Sequence, residues 1–326
     1  MTNKMTESII DYGNSKYGKP IGMVILAKSL AVVSLNNKNS MHPLSILNIA
    51  PSGNFKTRTS EEIKKLFSKN VVELGSDITM NSLLGRDEEL EGKTLNINDL
   101  TLLLSTKRTQ TKNRICSGLA ELLSEGRYTY ADFKHNILLQ AKCNIITNIT
   151  TGSFESNKHA LFISNTFIER LLPIRYEVSI ENQINFSKEY SKRCKIKFKD
   201  KIKLKYFKVG LLEKYDDDII NISRQLMENA KGESYVRAAD KIKALIISNA
   251  LLNGRKKVYD CDIEVARQIM IFTINPKSNY HKVILLHKQG KEVKEIADIL
   301  NLSLKSVYEH IKSYKKMGNK GIAYER

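Results

Sequence analysis

The stretch Leu44-Ser45-Ile46-Leu47-Asn48-Ile49-Ala50-Pro51-Ser52-Gly53-Asn54-Phe55-Lys56-Thr57 reads as an apolar strand running into a turn that closes on Lys-Thr. Ile63, Leu66 and Phe67 follow at helical spacing, so the turn joins a strand to a helix. The first turn of such a helix offers backbone N–H groups without intrahelical partners and the positive end of its dipole, and both favour an anion. The stretch therefore reads as a phosphate site made by Pro51, Ser52, Gly53, Asn54, Phe55, Lys56 and Thr57. A bulky residue at 55 is expected to avoid the positive φ that glycine permits.

Composition sets the outer limits. With 326 residues, 41 % of them hydrophobic, the chain can bury a sizeable core, and its length suggests two or three domains. No apolar run approaches the roughly 20 residues of a membrane span, and the polar start with Glu7 and Asp11 carries no signal-peptide pattern. A cytoplasmic protein with no membrane partner is the expectation. Cys116, Cys143, Cys194 and Cys261 lack C-x-x-C spacing and neighbouring histidines, which argues for buried or free thiols over zinc or disulfides. Lysine and arginine number 53 against 35 acids, a net charge of +18 that favours a polyanionic partner, most simply nucleic acid. The many Lys, Asn and Ile residues of an AT-biased genome are the other source of such an excess.

Around the decisive stretch the pattern alternates. Residues 1–18 read as an arm or first helix, and Pro20 opens an apolar helix over Ile21–Val33 expected to pack under the first strand. Asn70–Leu74 is a second strand, Leu95–Leu100 a third carrying Asn98 and Asp99, Ile115–Leu123 a helix closed by Gly126, and Lys142–Thr150 a fourth strand whose end carries Asn148. Such alternation predicts a mostly parallel α/β sheet flanked by helices. Ligands of these sheets sit at the carboxyl ends of the strands, where Lys56, Thr57, Asp99 and Asn148 fall.

In type and order these residues resemble the nucleotide site of AAA+ ATPases. Residues 50–57 resemble the Walker A loop G-x-x-x-x-G-K-[ST], with Lys56 and Thr57 matching and Ala50 and Phe55 standing at the two glycine positions. Asn98-Asp99 resembles a Walker B strand end and Asn148 a sensor. The resemblance implies ATP and Mg²⁺ as cofactors, Lys56 on the β- and γ-phosphates, Thr57 and Asp99 on the metal, and water oriented by Asp99 and Asn148. Asp99 stays open between metal carboxylate and short base: if it binds the metal, Leu100 stands where the family has a Glu, and slow hydrolysis is expected. Phe167–Arg175 looks like the helix end that presents an arginine finger to a neighbouring subunit, with Arg170 the first candidate and Arg175 the second.

Between Ile184 and Lys208 lysines alternate with Ile196, Phe198, Ile202, Leu204, Tyr206 and Phe207, which predicts a strand or hairpin with one cationic face. That face is either a track for phosphate backbones or a solvated connection. From Asp216 to Thr273 the spacing is helical. Tyr235–Ile246, with Asn249–Leu252, Val258 and Asp262, resembles the α-helical lid of minichromosome maintenance helicases, which gives Arg237 the sensor 2 role at the γ-phosphate. The last segment carries three short helical patterns, ended or capped by Gly290, Leu302 and Ser303, and resembles a helix-turn-helix, in its winged form. Its third helix would enter the major groove, with Lys305, Ser306, Tyr308, Lys312, Lys315 and Lys316 on the DNA side.

The expected organisation is an N-terminal arm and helix (1–40), an AAA+ α/β nucleotide-binding core (41–180), a basic connection and α-helical lid (181–275) and a helix-turn-helix DNA-binding domain (276–326). Resemblance over residues 40–326 implies an ATP-dependent, DNA-binding ATPase of DNA replication, similar to minichromosome maintenance helicases, working as a homo-oligomeric ring or filament because the finger acts in trans. Their large N-terminal DNA-binding domain has no counterpart before the loop, which speaks against processive unwinding. Two other readings are a nucleotide-binding DNA regulator with a decayed ATPase site, and an AAA+ loader whose partner is a replicative helicase.

Overall fold

A computed structural model describes residues 3–37, 42–75, 78, 82–101, 109–131, 136–163, 167–200, 202–204, 206–229, 234–273, 279–300 and 302–321. In chain order the elements begin with α1 (Lys4–Tyr17), α2 (Ile21–Ser34), β1 (Ser45–Ala50), α3 (Lys56–Leu66), β2 (Val71–Leu74), β3 (Thr94–Ile97) and α4 (Thr109–Glu125). They continue with β4 (Arg127–Ala131), β5 (Asn136–Gln140), β6 (Asn144–Thr150), α5 (Thr151–Ile163), β7 (Leu171–Arg175) and α6 (Ile180–Lys188). The remainder is helical: α7 (Asp216–Asn229), α8 (Tyr235–Leu252), α9 (Asp260–Met270), α10 (Asn279–Lys288), α11 (Val293–Leu300) and α12 (Leu304–Gly321).

Five strands form one parallel sheet in the order β2-β3-β6-β1-β7. The α/β expectation therefore holds, and β1, buried along its whole length, lies inside the sheet. From β1 the chain crosses towards β2, and from β6 it crosses the other way to β7. Right-handed crossovers in opposite directions put α3 and α5 on opposite faces. The side chains agree: Ile46 and Ala50 join Ile63 of α3 in one apolar cluster, while Leu47 and Ile49 join Leu119 of α4 and Phe154 of α5 in the other.

Residues 167–175 depart from expectation. They form a single 3-10 turn at Ile168–Arg170 and then β7, an edge strand beside β1, instead of a helix end. Pro173, which lacks an N–H, is tolerated at such an edge. The antiparallel hairpin β4–β5 between α4 and β6 also had no sequence forecast.

The N-terminal helices form a central layer, not an arm. Every residue of α2 except Met23 is buried, as a helix apolar on all faces requires. It lies between the sheet and α8, with α1 and α3 alongside. α1 crosses it at a close approach: a Cβ on Gly13 would meet Gly22 Cα at 2.6 Å, and one on Gly22 would meet Ile10 O at 2.2 Å. Helices α7, α8 and α9 pack on one another, and α8 packs on α2, as an outer layer on this face of the sheet. The same apolar cluster continues into Val283, Leu286, Ile296, Val307 and Ile311 of α10–α12. Those three helices pack together, and Gly290, at φ +80°, follows the first of them. The segment after α12, where the wing of the winged form would fall, lies outside the described residues. The expected boundaries at 40/41 and 275/276 lie outside the described residues.

The segment 184–208 is also not a strand or hairpin. Its start lies in α6, a helical turn follows at Tyr190–Arg193, and the described residues of the remainder have no ladder partner apart from one bridge between Phe207 and Asn37. Phe198, Ile202, Leu204 and Phe207 pack singly on the core. Period-2 alternation needs only an inside and an outside, and an extended strap laid on the molecule supplies both. No helix among the described residues is long and apolar enough to cross a membrane.

Glu62 of α3, 1 % exposed, ties α1 to the start of the site. It accepts hydrogen bonds from the Tyr12 and Tyr17 hydroxyls, and Lys16 and Lys65 approach it at 3.2 and 2.9 Å. Burial alone would raise its carboxyl pKa; the hydrogen bonds from Tyr12, Lys65 and Tyr17 and the charge of Lys16 outweigh this and hold it below the ordinary value. A carboxylate depressed by folding stabilises fully above its unfolded value, about 4.3, and loses that contribution as pH falls through the folded value. Glu62→Gln is expected to cost about 3 kcal/mol in urea denaturation at neutral pH and to flatten the loss of stability below about pH 4.

Candidate nucleotide-phosphate site

β1 ends at Ala50 and α3 begins at Lys56, so residues 51–55 make the turn at the carboxyl end of the sheet. Ser52, Gly53 and Thr57 are exposed there, whereas Asn54 is buried. Gly53 has φ +79° and Phe55 φ +58°, with a residue of ordinary φ between them. A turn of this kind gathers successive N–H groups into an anion-binding concavity, and the first turn of α3 adds its own free N–H groups.

Phe55 thus adopts the left-handed conformation that a bulky residue was expected to avoid. The reason is packing. Its ring lies 4.7 Å from that of Phe186 in α6 and 5.4 Å from that of Tyr17 in α1, and Phe186 stacks on Tyr17 at 5.5 Å. The left-handed residue costs about 1–2 kcal/mol. Two aromatic contacts at about 0.5–1.5 kcal/mol each, besides the area they bury, offset it. Asn54 fixes the other side of the loop, its Oδ1 accepting from Val178 N at 2.6 Å and its carbonyl from the Tyr176 hydroxyl at 2.8 Å. A glycine-type loop is held here by side chains from α1 and from the segment after β7.

Lys56 is half-buried and donates to the carbonyls of Ala50 (2.9 Å) and Pro51 (2.7 Å). Burial lowers its pKa, and the negative charge of Asp99 works against that shift. Asp99 is therefore within electrostatic reach of Lys56. It does not end the strand: β3 stops at Ile97, and Asp99 Oδ1 accepts from Thr101 N at 2.8 Å at the start of a helical turn. Leu100, next along, is fully buried. The concavity at 53–55 opens beside the exposed Thr57, and among the described residues no group of three or more His, Cys, Asp or Glu side chains is placed to hold a metal.

Asn148 lies within β6, not at its end, and is buried opposite Asn48 of β1. Its Oδ1 accepts from Asn48 Nδ2 (2.9 Å) and Lys28 Nζ (3.1 Å), while its Nδ2 donates to Ser60 Oγ (3.1 Å) and the Asn98 carbonyl (3.0 Å). The amide is fully engaged in tying β1, β6, α3 and the Asp99 turn together.

Lys28, which the sequence reading passed over, is the hub of that knot. It has no exposure, and its Nζ lies 2.8 Å from Thr59 Oγ1 and 2.9 Å from Ser60 Oγ as well as near Asn148. Burial, and then the charge of Lys56, push its pKa well down. The signal was present: Lys28 is the one charged residue in the apolar run Ile21–Ser34.

The two arginines expected at the γ-phosphate lie elsewhere. Arg170 precedes β7 and Arg237 opens α8, so both are at the amino ends of the strands, a strand length or roughly 15–20 Å from Lys56. Arg237 pairs with Glu169, and Arg170 Nε donates to Ser124 Oγ. With Lys241, Asp240 and His42 they line a cavity of about 290 Å³. Within one chain Arg237 does not join the phosphate loop, because α8 lies along α2 instead of over the site. Arg175 ends β7, buried against the ring of Phe154 at 4.6 Å and 3.5 Å from Glu155 Oε1, and so presents no free guanidinium to a neighbour. In the C-terminal helices Lys305, Tyr308 and Lys312 are exposed and Ser306 is half-buried, its N–H directed at Ser303 Oγ. Lys315 and Lys316 fall in the last turns of α12.

No protein-family model matches the chain, and no curated protein matches its sequence.

Two measurements test this geometry. Phe55→Gly relieves the left-handed strain that Phe55→Ala keeps, so Gly is expected to be the more stable variant by about 1 kcal/mol, both lying below the unaltered protein in urea melts. Lys28→Met removes two or three hydrogen bonds holding the first turn of α3, and is expected to weaken binding of a fluorescent nucleotide by about tenfold.

Proposed function

We propose that the chain is an ATP-dependent, DNA-binding ATPase of the AAA+ type, similar to minichromosome maintenance helicases, that acts in DNA replication. The observation that carries this reading is the convergence at one end of a parallel sheet of an anion-binding turn, Lys56, an exposed Thr57 and Asp99. The strand order supports it, since β6, bearing Asn148, separates the phosphate-loop strand from the Asp99 strand.

In this reading the N–H groups of Ser52–Lys56 and the Lys56 ammonium hold the phosphates of ATP. Its carbonyl contacts to Ala50 and Pro51 keep Lys56 at the loop beforehand. Thr57 Oγ1 and Asp99 would hold Mg²⁺, which would supply charge neutralisation for the phosphates. Asn148 acts as a positioning residue through its bonds to Ser60 and Asn98, not as a group that touches water. Arg170 and Arg237, sharing one cavity at the far end of the sheet, would act on a neighbouring subunit's nucleotide in a ring or filament by exchanging their bonds to Ser124 and Glu169 for the phosphate. The α10–α12 unit, with Lys305, Tyr308 and Lys312 outward, meets duplex DNA.

One observation favours a second reading, a nucleotide switch with slow turnover that regulates DNA binding or loads a replicative helicase: a buried Leu100 follows Asp99 where a base is needed.

Steady-state hydrolysis with and without DNA separates the two. DNA-stimulated turnover, lost by at least a hundredfold in Lys56→Ala and Asp99→Asn and also lost in Arg170→Ala, is expected of a working inter-subunit ATPase. Turnover no higher than that of Lys56→Ala, with nucleotide binding intact, would leave the switch.

A further inference from the structure

We propose that the described residues between 190 and 208 form a fixed cationic ridge that binds a single-stranded nucleic acid along its phosphates, with Tyr206 offering a ring on which a base stacks. This contact is separate from the duplex contact of the C-terminal helices and does not rest on the nucleotide reading.

Charge comes first. Between Lys188 and Lys208 ten cationic residues face two acids, Glu189 and Asp200, a net +8 in a chain whose total is +18. Lys192, Lys195, Lys197, Lys199, Lys203 and Lys208 are all exposed, and among the described residues none of them is engaged in an ion pair or side-chain hydrogen bond. Charges spent on local pairing would be poor phosphate ligands; these are unspent. Neutralising phosphates releases the counterions around them, which supplies affinity without reading sequence.

Backbone placement is the second argument. A lysine-rich tail is usually solvated and free, but this one is pinned. Phe198 lies edge-on to Tyr12 at 5.4 Å, Lys16 Nζ donates to the Ile196 carbonyl at 3.1 Å, and Phe207 bridges to Asn37. With Ile202 and Leu204 also packed on the core, Lys197, Lys199 and Lys203 between these anchors are exposed. Ordering of the chain, the main cost of binding through a disordered basic segment, is already met by folding.

The aromatic residues decide the strand type. Tyr206 is 61 % exposed and Tyr190 47 % exposed, at the two ends of the ridge. Large rings left in water among lysines suit stacking of unpaired bases, which single strands present and duplexes hide. Anionic lipid surfaces could take up both the lysines and the ring, and the vesicle arm of the test separates them from a nucleic acid. The ridge also reaches the phosphate loop, since Tyr190 packs on Phe186 at 5.6 Å and Phe186 on Phe55.

The test uses the full chain and fluorescence anisotropy with labelled thirty-residue oligo-dT and oligo-U, a duplex of equal length, and vesicles of phosphatidylserine. The variants are Lys197→Gln/Lys199→Gln/Lys203→Gln, Tyr206→Ala, and Lys305→Gln/Lys312→Gln as the C-terminal control. The triple variant is expected to lower the slope of log affinity against log salt on the single strand by about 2, at roughly 0.7 per phosphate contact. Tyr206→Ala is expected to weaken single-strand binding about 5- to 100-fold, the worth of one base–aromatic stack, and to leave duplex binding unchanged. Oligo-dT against oligo-U then reports which strand the ridge prefers. Single-strand binding unchanged in the triple variant but lost in the C-terminal control would overturn the proposal. So would vesicle binding as tight as strand binding with Tyr206→Ala without effect. Absence of ATP turnover with the expected strand results would count against the function proposed above and not against the ridge.

Discussion

Lys28 sits where no solvent reaches and, among the described residues, where no carboxylate meets it, surrounded by the oxygens of Thr59, Ser60 and Asn148. An amine there is tolerable only if its hydrogen bonds are made, because an unpaired polar group in such a place costs several kcal/mol. Three separate elements must therefore converge on it: α2, which carries it; α3, whose first turn supplies two hydroxyls; and β6, which supplies the amide oxygen. Their convergence sets the angle at which α3 leaves the phosphate loop, and so the direction of its free N–H groups. It also explains why Asn48 and Asn148 stand inside a parallel sheet whose strands are otherwise read as apolar runs. The polar ladder between β1 and β6 is the floor of this knot.

From that knot outward, the loop is fixed by packing where other loops are fixed by glycine. Phe55 in a left-handed conformation is stable because Tyr17 and Phe186 receive its ring, and Asn54 is stable because Tyr176 and Val178 hydrogen-bond to it. Backbone strain at a functional turn persists only when the surroundings over-determine it. Here the surroundings are α1 and the chain just after β7, so the N-terminal helices and α6 belong to the site as much as Lys56 does.

Much of this was legible in the sequence, and the reasons differ from element to element. The β1–loop–α3 unit was readable because a buried strand ending in Pro-Ser-Gly before a helical pattern has few other solutions. The parallel sheet followed from alternation. β7 was missed because Pro173 argues against a strand unless the strand is known to be an edge, which sequence cannot tell. The strap at 194–208 mimicked a hairpin because an anchored extended segment has the same period as a ladder strand. Phe55 was judged on backbone preference alone, and the rings that reverse the judgement come from residues 17 and 186, far away in the chain. Asp99 was assigned to a strand running to Leu100, whereas β3 stops at Ile97, since strand ends are where local pattern is weakest. For Lys28 the sign was a single cation in an apolar helix, whose meaning depends on which hydroxyls α3 turns towards it.

The site is also uneven in a way that bears on how it would work. Lys56 and Asp99 lie at the carboxyl end of the sheet, whereas Arg170 and Arg237 share a cavity at its amino end. No rotamer of either arginine spans a strand length, and α8 cannot carry Arg237 across without leaving α2, whose buried surface it covers. In the proposed reading, a guanidinium for a γ-phosphate at Lys56 is supplied by a second copy of the chain. In that arrangement each copy would give its arginines at one end of the sheet and receive a neighbour's at the other. Such a contact is head-to-tail, and repetition of it closes into a ring or extends into a filament. Assembly and turnover would then be one property, with the isolated chain able to bind nucleotide and poorly able to hydrolyse it.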